Sequence, residues 1–359
     1  MGQELNKPNL DKKPVDGKTK LFRYGMNEIQ GSKKAMEVFS VKKNNIGPNE
    51  NINIFGLFDG HSGKEISQYL SNNFIPELLK NNNFKNGDYN QALIDTFKNI
   101  DISLRTKDIN NKLVINSKQN RDEERSKIKD LYKSIDNNNN LDENEIEQLN
   151  TLMDIIDPIN LEGVFIADYI GSSGIIILIS DKITYIANAG NSHCIAINKK
   201  LSIINYKNII EQNIYNKSEK QRIKIAKGIK YGKEEENHNE NEEYLYLRGF
   251  GNFQYKNNDL INIEGQEITP IPNIFEIPND NIKYLIICNS GFFELGNNNN
   301  NKNDKKIACY FINKLQSEQK IISDIIGDYL DEFIPKENEE GKNTIDSNFS
   351  CIIIDFYNN

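Results

Sequence analysis

Short apolar runs rich in Ile, Phe and Val recur along the chain: IFGLF (54–58), SGIIILIS (173–180), KITYIANAG (182–190), HCIAIN (193–198), KYLIICNSG (283–291) and FSCIIIDF (349–356). Their β-branched content, with Gly, Asn and Asp at the ends, predicts strands. Apolar residues three and four apart predict helices over 63–80, 89–107, 217–228 and 305–334. Neighbouring strands follow one another through short turns while the helices gather elsewhere. That order predicts an α+β fold in which antiparallel sheets are covered by helices.

Polar stretches separate these elements. KEEENHNENEE (233–243) and the asparagine runs at 137–140 and 297–301 offer little that could pack, and read as solvated loops. A longer segment, about 108–163, contains KIKDLYKSIDNNNNLDENEIEQLNTLM, where Ile128, Leu131, Tyr132 and Ile135 lead into Asp136 with the spacing of a helix entering a calcium loop. A 12-residue EF-hand loop from Asp136 places Asn138, Asn140 and Glu147 at coordinating positions, but Leu141 takes the place of the turn glycine. A loop two residues shorter ends on Glu145 and suits the exit helix better. The competing expectation is a helical hairpin with a polar tip that binds no calcium.

Composition narrows the partners. Lys and Arg total 44 against 52 Asp and Glu, a net charge of -8 spread through the chain, which argues against a nucleic-acid partner. Cys194, Cys288, Cys309 and Cys351 lie too far apart for a metal knuckle, and three sit in strand-like runs. Buried reduced thiols are expected, and with them an intracellular, cytoplasmic location. No apolar run reaches membrane-span length, and MGQELNKPNL has no apolar stretch of the signal-peptide kind. Gly2 meets part of the N-myristoylation pattern, with Asn6 where Ser or Thr belongs, so a weak lipid anchor is an open expectation.

In order and spacing, YGMNEIQGSKKAMEVFSV, FGLFDGHSG, GSSGIIILI, YIANAGNSHCIAI, LRGFGNFQYK, LIICNSGFFEL and SNFSCIII resemble the metal-dependent (PPM, type 2C) protein serine/threonine phosphatases. The likeness runs over 22–357, leaving 1–21 as an N-terminal extension and 108–163 as an insert. It implies a sandwich of two antiparallel β-sheets flanked by helix pairs. It also implies a two-metal site in which carboxylates hold Mg²⁺ or Mn²⁺ and the ions ionise a bridging water.

Carried over position by position, the resemblance leaves half of that site. Glu37, Asp59 and the Gly60 carbonyl stand at metal positions, His61 at that of a proposed general acid, and Lys33 at that of a phosphate-binding arginine. Val38, Ser290 and Ser347 stand where aspartates are expected. Asn191 and Asn252 also replace aspartates, and Glu294 remains acidic. A one-residue shift that brings Asp346 to the place of Ser347 is an alternative register, and Asp59 and His61 also suit plain capping of the next helix. The resulting expectation is an impaired phosphatase-like protein that serves as a protein-binding component of a larger assembly. It requires no cofactor and binds at most one Mg²⁺ or Mn²⁺, weakly. An active metal-dependent phosphatase and a calcium-responsive module are the alternatives.

Overall fold

The structure, a computed structural model, describes residues 4–33, 35–47, 51–117, 165–204, 216–227, 247–295, 303–334 and 347–357. Two antiparallel sheets face each other. One runs in the order β11 (Asn273–Pro278), β8 (Ile183–Ala189), β7 (Gly171–Ile179), β6 (Ile52–His61) and β5 (Val38–Ile46), with β10 (Phe250–Gly251) also paired to β7. The other runs β2 (Val15–Lys18), β3 (Phe22–Ile29), β13 (Phe349–Phe356), β12 (Ile282–Cys288) and β9 (His193–Asn198). A two-stranded pair, β1 (Glu4–Asn9) with β4 (Gly31–Lys33), completes the strands among the described residues.

Alternation along the strands explains the layering. Side chains two apart share a sheet face, so Phe55 and Leu57 of β6 enter the space between the sheets with Ile175, Ile177, Leu285, Ile287, Ile352 and Ile354. Ile54 and Phe58 point the other way. They meet Leu70 and Phe74 of α1 (Glu65–Lys80) and Phe97 of α3 (Tyr89–Ser103), which follows the one-turn α2 (Asn82–Lys85). Helix α4 (Lys217–Ala226) lies near the short 3₁₀ turn at 263–265, and the five-residue α5 (Ser290–Glu294) follows β12. On the outer face of the second sheet, Ile286 and Ile353 pack with Phe311 of α6 (Asn303–Ser317) and with Ile325, Ile326 and Tyr329 of α7 (Ile322–Phe333).

The α+β sandwich expected from the sequence is therefore present, with three corrections to its elements. The helix expected over 305–334 is two helices, interrupted at Glu318–Ile321. The strand expected over 283–291 ends at Cys288, because Asn289 caps α5 by accepting from Phe292 N at 3.3 Å. Strands β3 and β5, and the shorter β1, β2, β4, β10 and β11, are not among the runs read as strands from the sequence. Cys194, Cys288 and Cys351 are buried free thiols and Cys309 is exposed. Among the described residues no helix is long and apolar enough to cross a membrane.

Candidate functional site

Strands β5 and β6 bring the first group together. Their register sets Val38 directly opposite Asp59, and Val38 is 1% exposed. The Glu37 main chain is pinned on both sides: its N–H donates to Asn348 Oδ1 at 2.7 Å, and its carbonyl accepts from Gly60 N at 3.0 Å and Ser67 Oγ at 2.6 Å. Gly60 cannot be larger, since a Cβ there would lie 2.6 Å from Ser67 Oγ, 2.7 Å from the Gly63 carbonyl and 2.9 Å from that of Glu37. Lys33, at the end of β4, reaches back to place Nζ 2.5 Å from Glu37 Oε2.

Strand ends from the opposite sheet supply the second group. Ser290 Oγ donates to Asp59 Oδ2 at 3.4 Å and Asn289 Nδ2 to the same oxygen at 3.3 Å, both long for hydrogen bonds to a carboxylate. Asn289 also accepts from Ser350 N at 2.9 Å and donates to the Asn348 carbonyl at 2.8 Å. Asn348 in turn donates to the carbonyls of Gln30 and Ala35. Ser347 packs against Gly291, where an added Cβ would come 2.5 Å from the Ser347 Cβ. These asparagines tie the start of β13 to the turn that presents Glu37. The sequence reading did not assign them that role, although an Asn just before a helical turn is a recognisable cap signal.

Burial governs the charges. It pushes the Asp59 carboxyl up to about 6, against the lowering influence of the Lys33 ammonium and the Asn289 hydrogen bond. His61 falls to about 3, through burial first and then the nearby charges of Lys33 and Lys256, so its ring is neutral at pH 7. Its Nε2 meets the side-chain amide of Asn252. Asn252 takes the left-handed conformation (φ 51°), which asparagine tolerates, and so can turn its amide toward the imidazole. Gly171 borders both: a Cβ there would strike His61 Nε2 and Asn252 Nδ2.

The cluster thus gathers Lys33, Glu37, Val38, Asp59, Gly60, His61, Ser290 and Ser347 at the sheet ends. Glu294 is exposed at the end of α5, and Asn191 sits in the turn between β8 and β9. Asp346 and the candidate calcium ligands Asp136, Asn138, Asn140 and Glu147 lie outside the described residues. Among the described residues this donor set holds two carboxylates, Glu37 and Asp59. No three His, Cys, Asp or Glu side chains converge to hold a metal among the described residues. Of the positions that the resemblance gives to carboxylates, one is a valine, two are hydroxyls and two are amides, none of which adds formal charge.

Comparisons with known proteins point to one family. The family model described as Protein phosphatase 2C matches residues 22–120 and 114–326. "Probable protein phosphatase 2C 2" of Paramecium tetraurelia is 26% identical over 345 residues, 95% of each chain. "Probable protein phosphatase 2C 4" of the same organism is 27% identical over 347 residues, again 95% of each. Among solved structures, the serine-threonine phosphatase 2C from Toxoplasma gondii superposes with a TM-score of 0.59 at 14% identity, covering 97% of this chain and 99% of that one. At that identity the superposition speaks for the fold.

Proposed function

Since the chain belongs to the protein phosphatase 2C family, we propose that it is a catalytically impaired member, whose phosphatase-like domain works by binding another protein within a larger assembly. The observation that carries this reading is the pairing of Val38 with Asp59 and of Ser290 with the same carboxylate. Two-metal hydrolysis depends on ions that lower the pKa of a bound water from 15.7 to about 7 and clamp the attacking and leaving oxygens. This donor set offers two carboxylates, and one of them already meets an ammonium.

The test is phosphatase activity toward a phosphoserine peptide and an aryl phosphate in millimolar Mn²⁺ or Mg²⁺. Background hydrolysis is expected. Turnover of about 1 s⁻¹ or more that disappears in Asp59→Asn would overturn the proposal. The second reading, an active metal-dependent protein serine/threonine phosphatase, draws on the retained Glu37, Asp59, Gly60 and His61 and on the names of the relatives, and the same assay decides between the two. For the binding role, gentle extraction with size fractionation and crosslinking should find the protein in a larger particle. A free monomer with no crosslinks would remove that part of the proposal.

A further inference from the structure

Glu37 and Asp59 sit on neighbouring strand ends, with Val38 paired to Asp59 and the Glu37 carbonyl accepting from Gly60 N at 3.0 Å, and among the described residues Lys33 forms an ion pair with Glu37. Lys33 Nζ lies 2.5 Å from Glu37 Oε2, and the two side chains are 27% and 17% exposed, so the pair is partly withdrawn from solvent. The Glu37 main chain is held by Asn348, Gly60 and Ser67, so the side chain starts from a fixed point. Asp59, by contrast, receives two long bonds from neutral donors among the described residues.

We propose that Lys33 is a tethered stand-in for a divalent cation: its ammonium occupies the Glu37 carboxylate, and so keeps the site closed to Mn²⁺ without any metal. This deepens the reading of an impaired phosphatase and rests on it. Three physical terms favour the tether over a free ion. The ammonium is delivered by the same chain, so it competes at the effective concentration of an intramolecular group. A charge-assisted bond of this length must be broken before Glu37 Oε2 can ligate anything else. An incoming Mn²⁺ would then sit beside a like charge in a partly desolvated site, where such repulsion is strong. The two serines and the valine cannot offset that repulsion.

The measurement is Mn²⁺ binding by calorimetry on the full chain, with thermal unfolding in millimolar Mn²⁺ and in chelator as a second readout. The wild type should bind weakly and melt at the same temperature in both. Lys33→Met should melt lower in chelator, recover in Mn²⁺, and bind one Mn²⁺ at least about tenfold more tightly than wild type, the scale on which groups beside a ligand tune metal affinity. Adding Asp59→Asn to Lys33→Met should abolish the gain, while Lys33→Arg should behave as wild type. Lys33→Gln repeats the test if the methionine variant fails to fold. Mn²⁺ electron paramagnetic resonance on the wild type needs no variant and should show the ion free.

The outcomes separate the two levels of the argument. If Lys33→Met and Lys33→Gln bind no better than wild type, the tethered cation is wrong while the impaired-enzyme reading stands. One tightly bound Mn²⁺ in the wild type also overturns the tether. Two tightly bound ions in the wild type overturn both.

Discussion

Lys256→Met would leave the Asp101 carboxylate inside the protein without its counter-charge. Asp101 projects from α3 and Lys256 from the loop after β10; their side chains are 0% and 1% exposed, with Nζ 2.7 Å from Oδ2. Each makes one further bond, Gly251 N donating to Asp101 Oδ1 at 2.8 Å and Lys256 Nζ to the Gly249 carbonyl at 2.9 Å. Burial raises the Asp101 pKa and lowers that of Lys256, and each partner opposes the other's shift, so the ions depend on one another. Removing one partner of such a pair costs about 3–5 kcal/mol, a large share of the roughly 5–15 kcal/mol that holds a domain together. Asp101→Asn with Lys256→Met removes both charges and should recover part of that loss, on the scale of roughly 0.5–3 kcal/mol by which residues in one network couple. Urea unfolding followed by far-ultraviolet dichroism, with a double-mutant cycle, measures both numbers. A single-variant cost below about 1 kcal/mol, or a coupling indistinguishable from zero, would refute the argument. The loop in question also carries Asn252, so the His61 ring resonances should shift in Lys256→Met even where the variant is fully folded.

Other outcomes follow from the same charges. Asp59 titrates near 6 when folded against about 3.9 unfolded, so the folded state holds a proton that the unfolded chain has released. Its contribution is therefore most favourable at low pH and is lost as pH rises through that window. Asp59→Asn should stabilise the protein above about pH 6 by at most about 3 kcal/mol, and a variant-to-wild-type gap that does not widen between pH 4 and pH 7 contradicts this. Glu219 has the opposite sign: burial would raise its pKa, but hydrogen bonds and charge from Arg248, then Arg222, leave it lowered. Its contribution is present above an unfolded value of about 4.3 and fades as pH falls through the lower folded one, so Glu219→Gln should be less stable at neutral pH and lose less on acidification in urea titrations. Restoring Val38→Asp, Ser290→Asp and Ser347→Asp together should strengthen Mn²⁺ binding by calorimetry, because hard anionic ligands return to the pocket; unchanged binding would mean that these positions do not face the ions.

Much of the sandwich was legible because buried strands announce themselves. β6, β7, β8, β9, β12 and β13 each contain or overlap an apolar run read from the sequence, and their Phe, Ile and Leu side chains fill the core. β3 and β5 hid because polar residues interrupt them: Arg23, Asn27 and Glu28 in one, Lys42 and Lys43 in the other. Arg23 pairs with Asp355 on neighbouring β13 at 2.7 Å, a compensation that only tertiary structure reveals. The break between α6 and α7 was missed for a different reason. Leu315 and Ile322 flank it and enter the same core cluster, so the apolar spacing carries on across a change of direction. At the site, motif spacing located the Asp59 turn and the serine positions. It did not disclose that Asn289, Asn348 and Asn252 would organise them, because an asparagine's partners are set by the strands that converge on it.

The separation between core and site explains how neutral residues at the sheet ends leave this architecture standing. Core contacts lie along the strand interiors in three apolar layers, whereas Glu37, Asp59, Ser290 and Ser347 occupy strand ends or the turns beside them. A set of convergent carboxylates without cations would repel and would be costly to desolvate. Substituting hydroxyls, amides and a valine lowers that repulsion while asparagines supply both donors and acceptors to the main chain. Glu37 and Asp59 then remain, and Lys33 meets the first of them. Adding back one carboxylate at a time should therefore destabilise the protein in chelator before it confers any affinity for Mn²⁺.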